Sequence, residues 1–230
     1  MNMRNLTGNL TSKAKELSAT GSNRGNIANP APIKPAVSAA PAAAAIAVTA
    51  TPIDNPDLAY QATTTKIDIS GLTFGDSYDS ISDNRLTVDF SVPLIKAGPV
   101  PDGWATWSSP PFSESPNPDM LYSESNMVEM TLSRPVRVFG FELEPSPFDE
   151  IEFTADFFRG NQLVESITRT VNGNSGARLF ARIGESIDRV IVTGGSDFAI
   201  AQVRYQLPIN VLVIVLLILL LIVLLLLLLL

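Results

Sequence analysis

The feature that most constrains this chain is strict period-two alternation over its middle. Leu86-Thr87-Val88-Asp89-Phe90-Ser91-Val92 alternates apolar and polar residues for seven positions. Val128–Leu132, Phe139–Leu143 and Ile151–Phe157 do the same. Side chains on a strand point to opposite faces in turn, so this pattern predicts strands with one buried and one wet face. Weaker strands fit Lys66–Ser70, Leu163–Val171, Arg178–Ile183, Arg189–Thr193 and Phe198–Gln206. Phe, Val, Ile and Thr dominate these runs, as strand sterics favour. Turn residues separate them at Gly160-Asn161, at Asn172-Gly173-Asn174-Ser175-Gly176 and at Gly194-Gly195-Ser196. The expected fold is all-β: an antiparallel two-sheet sandwich, jelly-roll-like, over residues 56–207, closing with a meander from 151 to 207.

The flanks are of another kind. Residues 1–55 are rich in Asn, Ser, Thr, Ala and Pro, too poor in large apolar groups to offset chain entropy, and read as a disordered leader. Within it, two readings of Ala36–Ala50 stand. A flexible linker is favoured because Pro41 interrupts the run; the other is a secretory signal ending at Val48-Thr49-Ala50. Val211 to Leu230 is twenty consecutive Leu, Val and Ile residues. As a helix such a run rises about 30 Å, the thickness of a bilayer's hydrocarbon core. Residues 208–230 are therefore expected to form a single transmembrane helix with the lipid bilayer as partner. The run has no intramembrane charge and no small residues for close helix packing, which fits an anchor and not a channel. Charges before it cancel (Arg189 and Arg204 against Asp188 and Asp197), so topology stays open, with display of the β domain at the cell surface as the expected placement.

Composition then removes whole classes of chemistry. The chain has no Cys and no His, so disulfides, thiol nucleophiles, imidazole bases and Cys/His zinc sites are excluded. The net charge of −7 combines a cationic leader (five Lys/Arg against one acid in residues 1–34) with an acidic remainder, a distribution that disfavours nucleic acid as a partner.

Three groups of residues are candidates for function. Trp104, Trp107 and Phe112 lie in a proline-rich insertion between Lys96 and about Met127, and aromatics on a stiffened loop suit a glycan or protein ligand. The alternative is that they fold back over one end of the sandwich. Asp76, Asp79 and Asp83 sit in a Gly/Ser/Asp stretch and supply the hard oxygen ligands of a Ca²⁺ site, although their spacing does not match a known calcium loop. No other cofactor is called for. Glu142 and Glu144, two apart, leave one face of a strand together, the arrangement of a glycosidic acid/base pair. The favoured reading is a solvated outer face opposite Phe139, Phe141 and Leu143.

Four stretches also carry a resemblance: Pro101–Pro111, Phe139–Pro145, Gly176–Ala181 and Phe198–Tyr205. Together they resemble bacterial surface or secreted β-sandwich domains, including those of PEP-CTERM-type exported proteins. The resemblance spans about residues 85–206 and implies an exported β-sandwich without transferable catalytic residues. The expected function is a membrane-anchored, non-enzymatic surface or envelope module with a structural or adhesive role. The alternatives are a carbohydrate-active enzyme using paired carboxylates and a self-assembling coat subunit. Deleting residues 208–230 separates the anchor from the coat subunit: the truncated chain is expected to leave the membrane fraction on differential centrifugation, and continued sedimentation with membranes defeats the anchor.

Overall fold

The computed structural model describes residues 51–209, 215–216 and 218–222. Among residues 51–209, ten strands and one helix follow in the order β1 (Thr51–Ile53), α1 (Leu58–Thr63), β2 (Thr65–Lys66), β3 (Ser77–Ser82), β4 (Thr87–Ala97), β5 (Met120–Ser123), β6 (Met127–Pro145), β7 (Glu150–Arg159), β8 (Gln162–Asn172), β9 (Arg178–Gly194) and β10 (Phe198–Gln206). The described body is thus predominantly antiparallel β-sheet, as the alternation predicts. All ten strands join one hydrogen-bonded sheet, with the path β2-β10-β5-β4-β6-β9-β7-β8; β1 adds to β9 and β3 to β4.

Two strands organise the rest. The separate runs Val128–Leu132 and Phe139–Leu143 are one nineteen-residue strand, β6. Likewise Arg178–Ile183 and Arg189–Thr193 are one seventeen-residue strand, β9. The pair zips in two stretches, 127–131 against 189–193 and 138–143 against 178–183, with register shifts around Val136 between them. Such irregularities let a long strand bend without abandoning its partner. The first stretch of β6 also pairs with β4, the second with β10. The far end of β4 pairs with β5, and β5 pairs with β10. The pairings β4–β5–β10–β6–β4 therefore close on themselves.

The predicted meander over 151–207 is replaced by a different order. β7 and β8 form a hairpin across Gly160-Asn161, with Gly160 at φ +56° as such a tight turn requires. β9 then passes β8 and pairs with β7. β7 takes the inner position because Phe153, Ala155 and Phe157 are all fully buried, whereas β8 is mostly exposed along its length. β3 arises from the Asp-rich stretch read as a loop; it pairs with β4 alone, and its Ser and Asp side chains suit a wet edge.

The main core gathers Phe139, Phe141 and Leu143 of β6 with Phe153 and Phe157, Phe180, Phe198 and Tyr205. Phe141 stacks on Phe180 with centroids 5.9 Å apart, and Phe153 meets Phe198 edge-on at 5.4 Å. A smaller cluster on the other face of β6 joins Val138 to Tyr60, Leu179 and Ala181. There α1 lies over the sheet, its first turn capped by Asp57, whose carboxylate accepts from the Tyr60 amide at 2.8 Å.

Thr51–Ile53, placed in the leader by composition, pair with residues 181–183 of β9. The rest of the predicted leader, residues 1–50, lies outside the described residues. In the apolar run, Val215, Leu216 and residues 218–222 are helical, and no helix among the described residues is long and apolar enough to cross a membrane. Most of the predicted span lies outside them.

At Gly140 the neighbours leave no room for a side chain on β6. A Cβ there lies 2.3 Å from the Ala181 methyl and 2.5 Å from the Tyr60 hydroxyl. Gly140→Ala is expected to destabilise the domain by about 1–3 kcal/mol through overpacking, read as a lower urea midpoint at unchanged slope.

Candidate functional site

The C-terminal half of β6, residues 138–145, is buried on both faces. One face carries Phe139, Phe141 and Leu143 into the core; the other carries Gly140, Glu142 and Glu144. The two carboxylates were expected on a solvated outer face. They do lie on the face opposite the core, but neither is exposed at all. The proline-rich segment between β4 and β5, residues 98–119, folds over them.

Each carboxylate receives one indole. Trp107 Nε1 donates to Glu142 Oε2 at 2.8 Å, and Trp104 Nε1 donates to Glu144 Oε2 at 2.7 Å. These are the chain's two tryptophans. The remaining oxygens are also occupied: Glu142 Oε1 accepts from the Glu114 amide at 2.7 Å, and Glu144 Oε1 from the Gly176 amide at 3.1 Å. The Thr106 hydroxyl lies 3.4 Å from Glu144 Oε1 and donates to the Gly173 carbonyl at 3.3 Å. Among the described residues no cation pairs with either glutamate. Burial pushes Glu142 up to about 8 and Glu144 up to about 7, against the opposing pull of the indole and amide donors; the nearby Glu114 charge raises Glu142 further.

Two ion pairs hold the later part of the segment. Glu114 takes a two-pronged bond from Arg204 on β10, both side chains nearly buried. Lys96, at the end of β4 and 2% exposed, donates to Asp119 at 2.6 Å and to the Ala97 carbonyl at 3.0 Å.

Beside the clasped segment lies a cleft of about 400 Å³, whose walls include Phe74, Lys96, Trp104, Tyr122 and Phe148. The Trp104 and Tyr122 rings sit 5.6 Å apart, tilted at 48°. Tyr122 donates its hydroxyl to Asp197 at 2.6 Å, which fixes the ring. Phe74 and Phe148 are 58% and 64% exposed at the mouth. Gly103, at φ +75°, permits the approach of Phe74, because a Cβ there lies 2.8 Å from the Phe74 ring.

The structure separates the three predicted contact residues. Trp104 lines the cleft. Trp107, on the inner side of the segment, is 3% exposed and is an anchor, not a contact residue; its indole N–H needs a buried acceptor, and Glu142 supplies it. Phe112 is half-exposed away from the cleft, with Arg178 stacked 4.3 Å over its ring.

The acidic trio does not assemble. Asp83 caps a turn, accepting from the Arg85 and Leu86 amides at 2.7 and 2.8 Å and from the Tyr205 hydroxyl at 2.6 Å. Asp76 serves through its main-chain carbonyl, bound by the Lys96 amide, and Asp79 lies within β3. Among the described residues no group of three acidic side chains converges on a metal site. The reason is extension: β3 runs from Ser77 to Ser82 between Asp76 and Asp83, and an extended strand holds the acids at its two ends apart instead of curling them around an ion.

Sequence reasoning missed Phe74, Tyr122, Phe148 and Lys96, which come from separate elements. A usable signal existed for the clasp, in two indoles three apart and two carboxylates two apart, each pair otherwise short of a buried partner.

No family model matches the chain, and no curated protein does. Among solved structures, a match is the enzymatically active domain of tailspike protein 4 from bacteriophage CBA120, at 15% identity and a TM-score of 0.28, covering 54% of this chain. The matched region spans 20% of that structure's length.

Trp107→Phe leaves an oxygen of buried Glu142 without its donor, and about 1–3 kcal/mol of destabilisation is expected in urea unfolding. Trp104→Phe, at the half-buried edge of the same arrangement, is expected to cost less.

Proposed function

We propose that this chain is a membrane-anchored surface or envelope module that binds a ligand in the Trp104 cleft and catalyses no reaction on it. In this reading the bent strands β6 and β9 fold the sheet into two facing layers, a sandwich, and the 211–230 run of Leu, Val and Ile holds the module to a bilayer. The role is structural or adhesive, with a glycan as the ligand the cleft fits best.

The observation that carries this is the setting of Trp104. Its ring lines a concave, mainly apolar cleft that also carries Phe74, Tyr122 and Phe148, while its polar edge is fixed by Glu144. A rigid aromatic wall loses little freedom on binding and offers a flat apolar face to the C–H face of a sugar ring. Lys96, the charged residue of the wall, is already neutralised by Asp119, which favours an uncharged ligand. The glutamates support binding over hydrolysis. A general acid and base must reach the substrate, whereas all four oxygens here are taken by N–H donors within the fold.

The test is calorimetric titration of the full chain with maltotriose, cellotriose and chitotriose at millimolar concentration. Trp104→Ala is expected to weaken binding by about tenfold or more, equivalent to about 1.4 kcal/mol. Phe148→Ala is expected to weaken it less, and Phe112→Ala not at all. Full affinity in Trp104→Ala defeats the reading.

A further inference from the structure

We propose that Glu142 and Glu144 form a proton-operated clasp on the 98–119 segment, seated while both carboxyls are neutral and loosened once both ionise, and that this clasp regulates the cleft. The last clause rests on the cleft being the binding site; the clasp itself does not.

The geometry is unusual for glutamate. Two carboxyls sit on one face of a central strand, without exposure, and the same segment of chain covers both. The groups around them supply no direct counter-charge. Around Glu142 stand Glu114 and Trp107 of the segment, Tyr60 of α1 and Lys66 of β2. Lys66 acts on it only at a distance, and Arg204 of β10 is engaged by Glu114. Around Glu144 stand Trp104 and Thr106 of the segment and the Gly176 and Ala177 amides before β9. Arg178 of β9 turns instead to Phe112 and to the carbonyls of Gly176 and Ala177. Dipoles alone therefore offset burial of either charge, and they offset it incompletely.

The direction of the effect follows. Seated, the carboxyls hold their protons up to about 8 and about 7; in water an ordinary glutamate releases its proton near 4.5. The seated form therefore binds more protons than the lifted form across that interval. Its advantage is complete below about pH 4.5, declines as pH rises and is lost above about 8. Acid closes the clasp and base loosens it. The cleft follows because Trp104 is at once the donor to Glu144 and a wall of the cleft, and Thr106 bonds Gly173, another lining residue.

Both tryptophans of the chain sit in the clasp, so the two indole N–H signals of the ¹⁵N-labelled full chain report on it without background. At about pH 6 both are expected to be protected from exchange. Between about pH 6 and about pH 9 the lifted population is expected to grow about tenfold through Glu144 and about a hundredfold through Glu142, so on the order of a thousandfold when both lift together, after correction for intrinsic exchange. The Glu142→Gln/Glu144→Gln double variant, neutral at every pH, is expected to keep both indoles protected throughout. Indole protection in the native chain that is independent of pH up to about 9 overturns the proposal, whether or not the variant folds. Titration with maltotriose, cellotriose and chitotriose at about pH 6 separates the two readings. A clasp that titrates in a chain that binds none of them defeats the glycan reading alone; sugar binding alongside pH-independent indoles defeats the clasp alone.

Discussion

The burial of two carboxylates under two indoles is the constraint on which the end of the domain that carries the cleft depends. A chain segment with six prolines between Pro99 and Pro118 makes few main-chain ladder bonds of its own. It is held by side chains instead: Trp104 on Glu144, Trp107 on Glu142, Glu114 on Arg204 and Asp119 on Lys96. The two tryptophan contacts run in antiparallel order along β6, the earlier tryptophan meeting the later glutamate. The segment is thus laid against the strand much as another strand would be, with side-chain bonds in place of a ladder.

This arrangement explains why β6 is unlike its neighbours. Its core face reads as an ordinary strand face, but the other face carries a glycine and two acids under cover. Gly140 makes room for Tyr60 and Ala181, and the acids accept the N–H groups that the covering segment brings in. A face made of Gly and Glu is normally left to water. Here it serves as a socket, and the cost of desolvating it is met partly by hydrogen bonds and partly by retained protons.

Alternation located β4 and β7 because each has one largely buried face, and strand-favouring residues located β8 and β10. The alternation split β6 and β9, because register shifts around Val136, opposite Gly184 at φ +146°, interrupt the period without ending either strand. It passed over Ser77–Ser82, whose polar side chains belong to an edge. For the site, periodicity placed Glu142 and Glu144 on the correct face of the strand but said nothing of what lies over it. That information resides in contacts between residues 104–114 and 142–144, some thirty to forty positions away. Phe74, Tyr122 and Phe148 were illegible for the same reason: each is unremarkable in its own segment, and the closure of β4 and β5 gathers them into one wall.

The closed circuit β4–β5–β10–β6 has a mechanical side. The described chain leaves the sheet at Gln206, from a strand bonded to β6 on one flank and to β5 and β2 on the other. A pull applied through the residues that follow runs along β10 itself, so neighbouring rungs share the load in shear and do not peel one at a time. Tension from that side reaches the long β6–β9 pair before it reaches the β7–β8 hairpin. A body tethered through its last strand would thus meet drag or contact forces with its most extensively bonded elements first.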